Sequence, residues 1–366
     1  MIRYMTAGES HGPRLSVIIE GLPAGLALDA ETVRRDLARR QNPAGAGGRM
    51  AIEKDSAAIS AGVMCGKTTG APVAMEIANR DHANWAGKEI PAYTAPRPGH
   101  ADLVAALKYG FDDIRPALER ASARETAARV AAGACFRALL AQFGISVSGR
   151  VVAIGGVPGD EDSPAVLAAI ENARAAGETL GGIIEVSATG VPAGLGSYVS
   201  ADRRLDARLA AAVLSVNAIK GVEFGDGFAL SSMPGTQAQD AIAANRDGTL
   251  VRPSNHAGGI ESGMSNGLPI VLRAAMKPIP TTLKPQRTVD LSTGESCGTK
   301  YERSDVCPVP RAVVVVEAAV LHVLADALCE TLGGDTLDIM MTRFASLPRP
   351  AAGSFAVTGA PKIFWR

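Results

Sequence analysis

Two hexapeptides, "GLPAGL" at 21–26 and "GVPAGL" at 190–195, agree at five of six positions across an offset of 169 residues. Each closes a β-branched run and opens an amphipathic one. "RLSVIIEGLPAGL" (14–26) predicts a strand ending in a Pro-Gly turn, and "DAETVRRDLARRQ" (29–41) a helix N-capped by Asp29. "GGIIEVSATGVPAGLGSYV" (181–199) and "ADRRLDARLAAAVLSVNAIKG" (201–221) repeat the succession. A strand–turn–helix unit used twice predicts two related halves around a pseudo-twofold axis.

Two buried helices beyond these are expected. "SARETAARVAAGACFRALLAQF" predicts the longest helix, from Ser122 to about Phe143, with Ser122 and Glu125 at capping-box spacing. Its Ala, Gly and Cys let neighbours approach closely. Residues 202–219 and 312–332 predict further helices of this kind. The Gly-rich stretch 232–267 is expected to be a folded-over functional loop rather than a domain boundary.

Charge then narrows the function. The chain has 37 basic and 37 acidic residues among 366, so no overall field draws it to nucleic acid or membrane. Five cysteines without a C-x-x-C pair argue against a disulfide framework or a zinc site and fit a reducing cytoplasm. The apolar run 312–328 is interrupted by Glu317, His322 and Asp326, so no membrane span is expected.

Arginines gather at glycine- and proline-rich turns. Arg39, Arg40 and Arg49 surround "NPAGAGG"; Arg97 and His100 share "PRPGHAD"; Arg120 and Arg124 bracket the start of the long helix, where free N–H groups favour an anion. Lys277 stands in the Pro-fixed "MKPIPTTLKP", and Arg303 and Asp305 in "YERSDVCP". Among the five histidines, His322 lies on an apolar helix and reads as structural. His82 and His256 are open between structural and site roles. His11 ("TAGESHGPRL") and His100 sit in Gly-flanked turns, as an imidazole presented for proton transfer does. G-x-S-x-G spacing occurs at 8–12 and 263–267, but no G-x-G-x-x-G, G-x-x-x-x-G-K-[ST] or H-E-x-x-H is present, which removes the common dehydrogenase, kinase and zinc-protease readings. The residues alone describe an enzyme acting on a multiply anionic small molecule.

Taken together, "AGESHGPRL", "RPGHAD", "KYGFDDIR", "ERASARETAARVAAGA", "GVPAGLGSYV", "LDARLAAAVLSVNAIKGVEFG", "SNGLPIVLRAAMKPIPT" and "ERSD" resemble the chorismate synthase family, in its order and over residues 1–335. The resemblance implies an α+β fold, a β-α-β sandwich with an internal pseudo-twofold repeat and long helices layered between sheets. It implies one domain over 1–338, with halves of about 1–150 and 151–338, an unassigned tail at 339–366, and a cytoplasmic homotetramer. The implied reaction is the 1,4-anti-elimination of phosphate from 5-enolpyruvylshikimate 3-phosphate. It uses reduced FMN without net redox change, and NADPH enters only indirectly, as reductant of the flavin.

Carried over by position, His11 protonates the departing phosphate, His100 lies near flavin N1, and Asp305 assists flavin N5. Ser10, Arg40, Arg49, Arg97, Arg124 and Lys277 hold the substrate's carboxylates and phosphate. The implied flavin contacts are Arg120, Ala121, Ser122, Asn217, Ala218, Ser262, Lys277, Pro278, Ile279, Pro280, Thr281 and Arg303. Neither the residues nor the resemblance calls for a metal. Ala46 stands where the family has arginine and Ser262 where it has glycine, and the segment between Trp85 and Pro96 is short for the family. The lost arginine leaves a non-catalytic flavin-binding homologue as the alternative.

Overall fold

The computed structural model describes residues 1–41, 55–302, 305–348 and 350–365. Two antiparallel sheets enclose a layer of helices. The first sheet runs β1 (Arg3–Ala7), β2 (Arg14–Glu20), β4 (Val73–Ala78) and β3 (Ala57–Ala61) in that spatial order. The second runs β8 (Ile219–Phe224), β9 (Ile270–Met276), β7 (Gly182–Thr189), β5 (Ser146–Ile154) and the short β6 (Val157–Pro158). Inward side chains alternate along each strand; in β2 these are Leu15, Val17 and Ile19, all at most 1% exposed.

Helices α1 (Ala30–Gln41), α4 (Thr126–Ala141), α6 (Leu205–Leu214) and α7 (Val309–Leu332) fill the space between the sheets. The observed sandwich is the α+β arrangement that the family resemblance implies. Shorter helices α2 (Asp102–Tyr109), α3 (Arg115–Arg120), α5 (Pro164–Ala175) and α8 (Leu337–Ala345) lie outside that layer. Helices α4 and α7 cross where Gly133 meets Ala318; a Cβ on Gly133 would stand 2.5 Å from the Ala318 Cβ. Only a glycine permits that approach.

The repeated hexapeptides close one hydrogen-bonded unit twice. Gly25 N–H donates to Thr68 O (2.9 Å) and Gly194 N–H to Ser265 O (2.8 Å). Leu26 N–H donates to Thr68 Oγ1 (3.0 Å) and Leu195 N–H to Ser265 Oγ (2.9 Å). Each hydroxyl in turn donates to the proline carbonyl of its hexapeptide, Pro23 O and Pro192 O, at 2.6 Å. Both hydroxyls stand on two-residue hairpins whose tips, Cys65–Gly66 and Ser262–Gly263, have positive φ throughout. The glycines at 21, 25, 190 and 194 also have positive φ, which ends both strands earlier than 26 and 199.

Several expected elements are shorter or differently ended. Asp29 caps α1 as expected, its Oδ1 accepting from Thr32 N–H at 2.8 Å. Residues 201–203 form a 3-10 turn before α6, and 219–221 belong to strand β8 rather than to the helix. The capping box at Ser122 and Glu125 does not close. Ser122 Oγ accepts from Arg124 N–H (3.3 Å), capping a 3-10 turn over Ala123–Glu125, while Glu125 pairs with Arg129 at 2.7 Å. The longest described helix is therefore α7, not the one starting at Ser122. Helix α7 is long and apolar enough to cross a membrane, but 83% of its apolar window is buried within the protein. Helix α8 spans the expected boundary at 338 and packs inward through Met340 and a Phe344–Phe143 ring contact at 5.1 Å.

Candidate active site

A cavity of about 690 Å³ opens where the β1–β2 connection, the start of α4 and the segment after β9 converge. That volume lies within the ~300–1,000 Å³ usual for small-molecule sites. Five cationic side chains line it among the described residues: Arg40, Arg97, Arg124, Lys277 and Arg311; three carboxylates accompany them, Asp81, Glu302 and Asp305.

His11 stands in the turn between β1 and β2, a turn pinned from three sides. Asn79, directly after β4, donates through Nδ2 to Glu9 O (3.0 Å) and Gly12 O (2.8 Å). His82 Nδ1 donates to His11 O at 2.9 Å, which gives His82 a structural place. At the end of α3, Glu119 takes His11 N–H on Oε2 and approaches His11 Nδ1 with Oε1, both at 2.8 Å. The Trp85 ring stacks on the imidazole with centroids 3.9 Å apart. His11 Nε2 lies 3.9 Å from Asp81 Oδ2.

His100, just before α2, is held differently. Its Nδ1 is 2.5 Å from Asp102 Oδ1. The same fully buried carboxylate accepts from Arg97 through Nε (2.8 Å), Nη2 (3.1 Å) and the backbone N–H (3.0 Å). Burial alone would raise both carboxyls, but hydrogen bonds from His100 and Arg97 hold Asp102 well below the usual range, and those from His11 hold Glu119 below it.

The remaining arginines are braced by buried acids. Arg124 Nε donates to Asn79 Oδ1 (2.8 Å), and its Nη1 spans both oxygens of Asp55 at 2.7 and 2.9 Å. Arg40 donates to Thr126 Oγ1 (3.1 Å) and Ala123 O (3.0 Å) and lies 3.5 Å from Asp55. Burial pulls its guanidinium down to about 10, which still leaves it charged at neutral pH. Lys277 Nζ donates to Gly99 O at 2.7 Å, and Ser122 Oγ donates to Ser10 Oγ at 3.1 Å. Asp305 pairs with Arg311 at 2.5 Å.

The cavity thus brings together His11, His100, Asp305, Ser10, Arg40, Arg97, Arg124 and Lys277, with Ala121, Ser122, Asn217, Ala218 and Ile279–Thr281. Ala218 holds a left-handed φ of +66° while its carbonyl accepts Lys277 N–H at 2.9 Å, so the two segments form one wall. Arg120, Pro278 and Ser262 do not line it. Arg120 turns to β1 and donates to Thr6 O at 3.1 Å; Ser262 forms a hairpin tip. Arg49, Ala46 and Arg303 lie outside the described residues. His256 pairs with Asp226 at 2.5 Å, and His322, pushed down by burial, meets Ile2 O at 3.2 Å; neither lines the cavity.

Glu119, Asp81, Trp85 and Arg311 also face or brace the site, and no motif in the sequence singles them out. Glu119 precedes Arg120 in "LERASARE", and Asp81 and Trp85 stand in "NRDHANW". Their partner, His11, is 108 residues away from Glu119, and no local pattern announces the meeting.

Fold and cavity together define a small-molecule site with five cationic side chains among the described residues and two carboxylate-held imidazoles on its walls. The sequence model of the chorismate synthase family matches residues 2–329. A chorismate synthase of Caldanaerobacter subterraneus subsp. tengcongensis is 54% identical, over 92% of this chain and 95% of its own length. One of Moorella thermoacetica is 52% identical, over 94% and 98%. A crystal structure of a chorismate synthase superposes with a TM-score of 0.76 at 39% identity, covering 94% of this chain and 96% of that one. The chain belongs to the chorismate synthase family. None of these likenesses favours a non-catalytic homologue.

Proposed function

We propose that the chain forms chorismate from 5-enolpyruvylshikimate 3-phosphate by 1,4-anti-elimination of phosphate, with reduced FMN and no net redox change. The observation that carries this reading is one cavity holding His11 and His100, each on its own carboxylate, among five cationic side chains. A substrate with two carboxylates and a phosphate offers acceptors to the guanidinium and ammonium groups that line the cavity.

The walls also fit a flavin. Asn217 Oδ1 is buried with no hydrogen-bond partner among the described residues, while its Nδ2 donates to Ala121 O at 3.1 Å. An unpaired buried acceptor suits a ligand N–H, as a flavin ring supplies. Ala121, Ser122, Asn217, Ala218, Lys277 and Ile279–Thr281 would hold it. When bound, reduced FMN would lend electron density that helps phosphate depart, recover it as the weakly acidic C–H breaks, and take up that proton. Arg97, Arg124, Arg40 and Lys277 bind and orient the anionic groups. His11 holds at Nε2 the proton that the departing phosphate takes. His100, held by Asp102 at Nδ1, would share the proton of the reduced ring. Asp305, tied to Arg311, supplies a carboxylate at the same mouth.

The reading includes a cytoplasmic homotetramer, with NADPH acting only as a reductant of flavin. Paired residues Met5 and Ile18 on the outer face of the first sheet, 74% and 52% exposed, support burial against another copy. An anaerobic assay of chorismate formation tests the activity, first with chemically reduced FMN and then with NADPH alone. Turnover in the first and none in the second is expected; no turnover in either overturns the reading.

A further inference from the structure

We propose that Glu119 is the positioning residue of His11, fixing which imidazole nitrogen faces the substrate. The inference rests on the reading of this cavity as the chorismate-forming site. A carboxylate that stays ionised only accepts hydrogen bonds. Glu119 is nine-tenths shielded, with 11% of its side chain exposed, and its oxygens are occupied separately. Oε2 accepts the His11 backbone N–H and Oε1 meets the ring Nδ1, each at 2.8 Å. Nδ1 must therefore carry the hydrogen. That leaves Nε2, on the side of Asp81, as the nitrogen whose protonation changes.

The arrangement is more than a hydrogen bond to a ring. Glu119 O also accepts Ser10 N–H at 3.1 Å, so one residue of α3 holds two consecutive residues of the turn. Trp85, stacked on the imidazole at an interplanar angle of 25°, limits rotation about the ring's remaining freedom. Backbone, ring nitrogen and ring face are all constrained before substrate arrives, the preorganisation that proton transfer in a site requires.

Substitution by glutamine separates positioning from mere packing. The amide keeps the size of Glu119 but offers one acceptor and one donor group. With its oxygen on the His11 backbone N–H, its NH₂ confronts Nδ1 and favours the tautomer with hydrogen on Nε2. Nitrogen-15 NMR of histidine-labelled protein, with the His11 signals assigned by their loss in His11→Ala, reads the tautomer without any assay of activity. With the ring neutral, wild type should show Nδ1–H at His11, and Glu119→Gln a shift towards Nε2–H. In the same variant kcat should fall about ten- to a hundredfold with KM nearly unchanged, part of the contribution of a placed acid. Glu119→Asp, which keeps the charge, should recover part of the loss.

An unchanged Nδ1–H signal in Glu119→Gln overturns the proposal whatever the activity. A changed tautomer with undiminished kcat overturns it differently, and counts against His11 as the proton donor in the proposed function.

Discussion

The two histidines of the cavity meet their carboxylates in different company. Glu119 has one side chain to serve, His11, together with that residue's own N–H. Asp102 is shared, because Arg97 takes three hydrogen bonds on it while His100 takes one. The carboxylate beside His11 is hydrogen-bonded by that residue while Arg115 acts on it only through space, whereas the one beside His100 takes direct hydrogen bonds from a guanidinium. The first arrangement suits a ring that carries and delivers a proton to a departing anion. The second suits a ring fixed in place beside a buried arginine. Similar residue types, a histidine and an acid at a turn, acquire different chemistry from a third neighbour.

Removing either imidazole should cause the largest loss. His11→Ala should lower kcat by about two to four orders of magnitude, the range of a placed general acid, with substrate binding largely kept. Because Glu119 is held to act through His11, adding Glu119→Gln to that variant should cost little more. A double variant far slower than His11→Ala would give Glu119 a separate role and break the contrast.

Stability should separate the two acids next. Asp102→Asn leaves Arg97, buried with 7% of its side chain exposed, without its counter-charge, at a cost of about 3–5 kcal/mol. Glu119→Gln loses charge-assisted hydrogen bonds to a partner that can stay neutral, at about 1.5–3 kcal/mol. Denaturant titration of the two variants at neutral pH measures both. Equal losses would mean that Arg97 does not depend on Asp102 as the geometry says.

Acid sharpens the comparison further. Both carboxyls are lowered in the folded protein from ordinary values of 3.8 for Asp102 and 4.5 for Glu119. The unfolded chain therefore takes up protons first as pH falls, so stability present above those values is lost below them. The loss through Glu119 should set in at the higher pH. Unfolding free energies measured between pH 6 and pH 3 should fall less steeply for either variant than for wild type, and flattening should begin earlier for Glu119→Gln.

The smallest effect belongs to Lys277, a half-buried residue whose amine donates to Gly99 O. Lys277→Ala should raise KM several-fold and leave kcat nearly unchanged, as loss of uniform binding does. A large drop in kcat would place Lys277 in the chemistry with the histidines.

Much of this was legible in the chain. The repeated hexapeptide pointed to a unit used twice, because positive-φ glycines at fixed spacing are a local demand. Arginines at glycine-rich turns pointed to the anion site for the same reason. The residues that tell one histidine from the other were not legible. Asp102 stands two places after His100, but nothing local says that Arg97 also claims it. Glu119 reaches His11 only through the packing of α3 against the β1–β2 turn. The helix end is not legible either, since Ala218 turns left-handed and 219–221 leave the helix for a strand edge. Long-range pairing decides such matters, and short-range pattern does not carry it.

The most direct test of the account counts product against flavin. Under strict anaerobiosis, a limiting amount of chemically reduced FMN should support formation of many chorismates and as many phosphates, with the flavin still reduced at the end. One flavin oxidised per chorismate would contradict it, replacing a phosphate elimination guided by fixed imidazoles and arginines with an ordinary redox reaction.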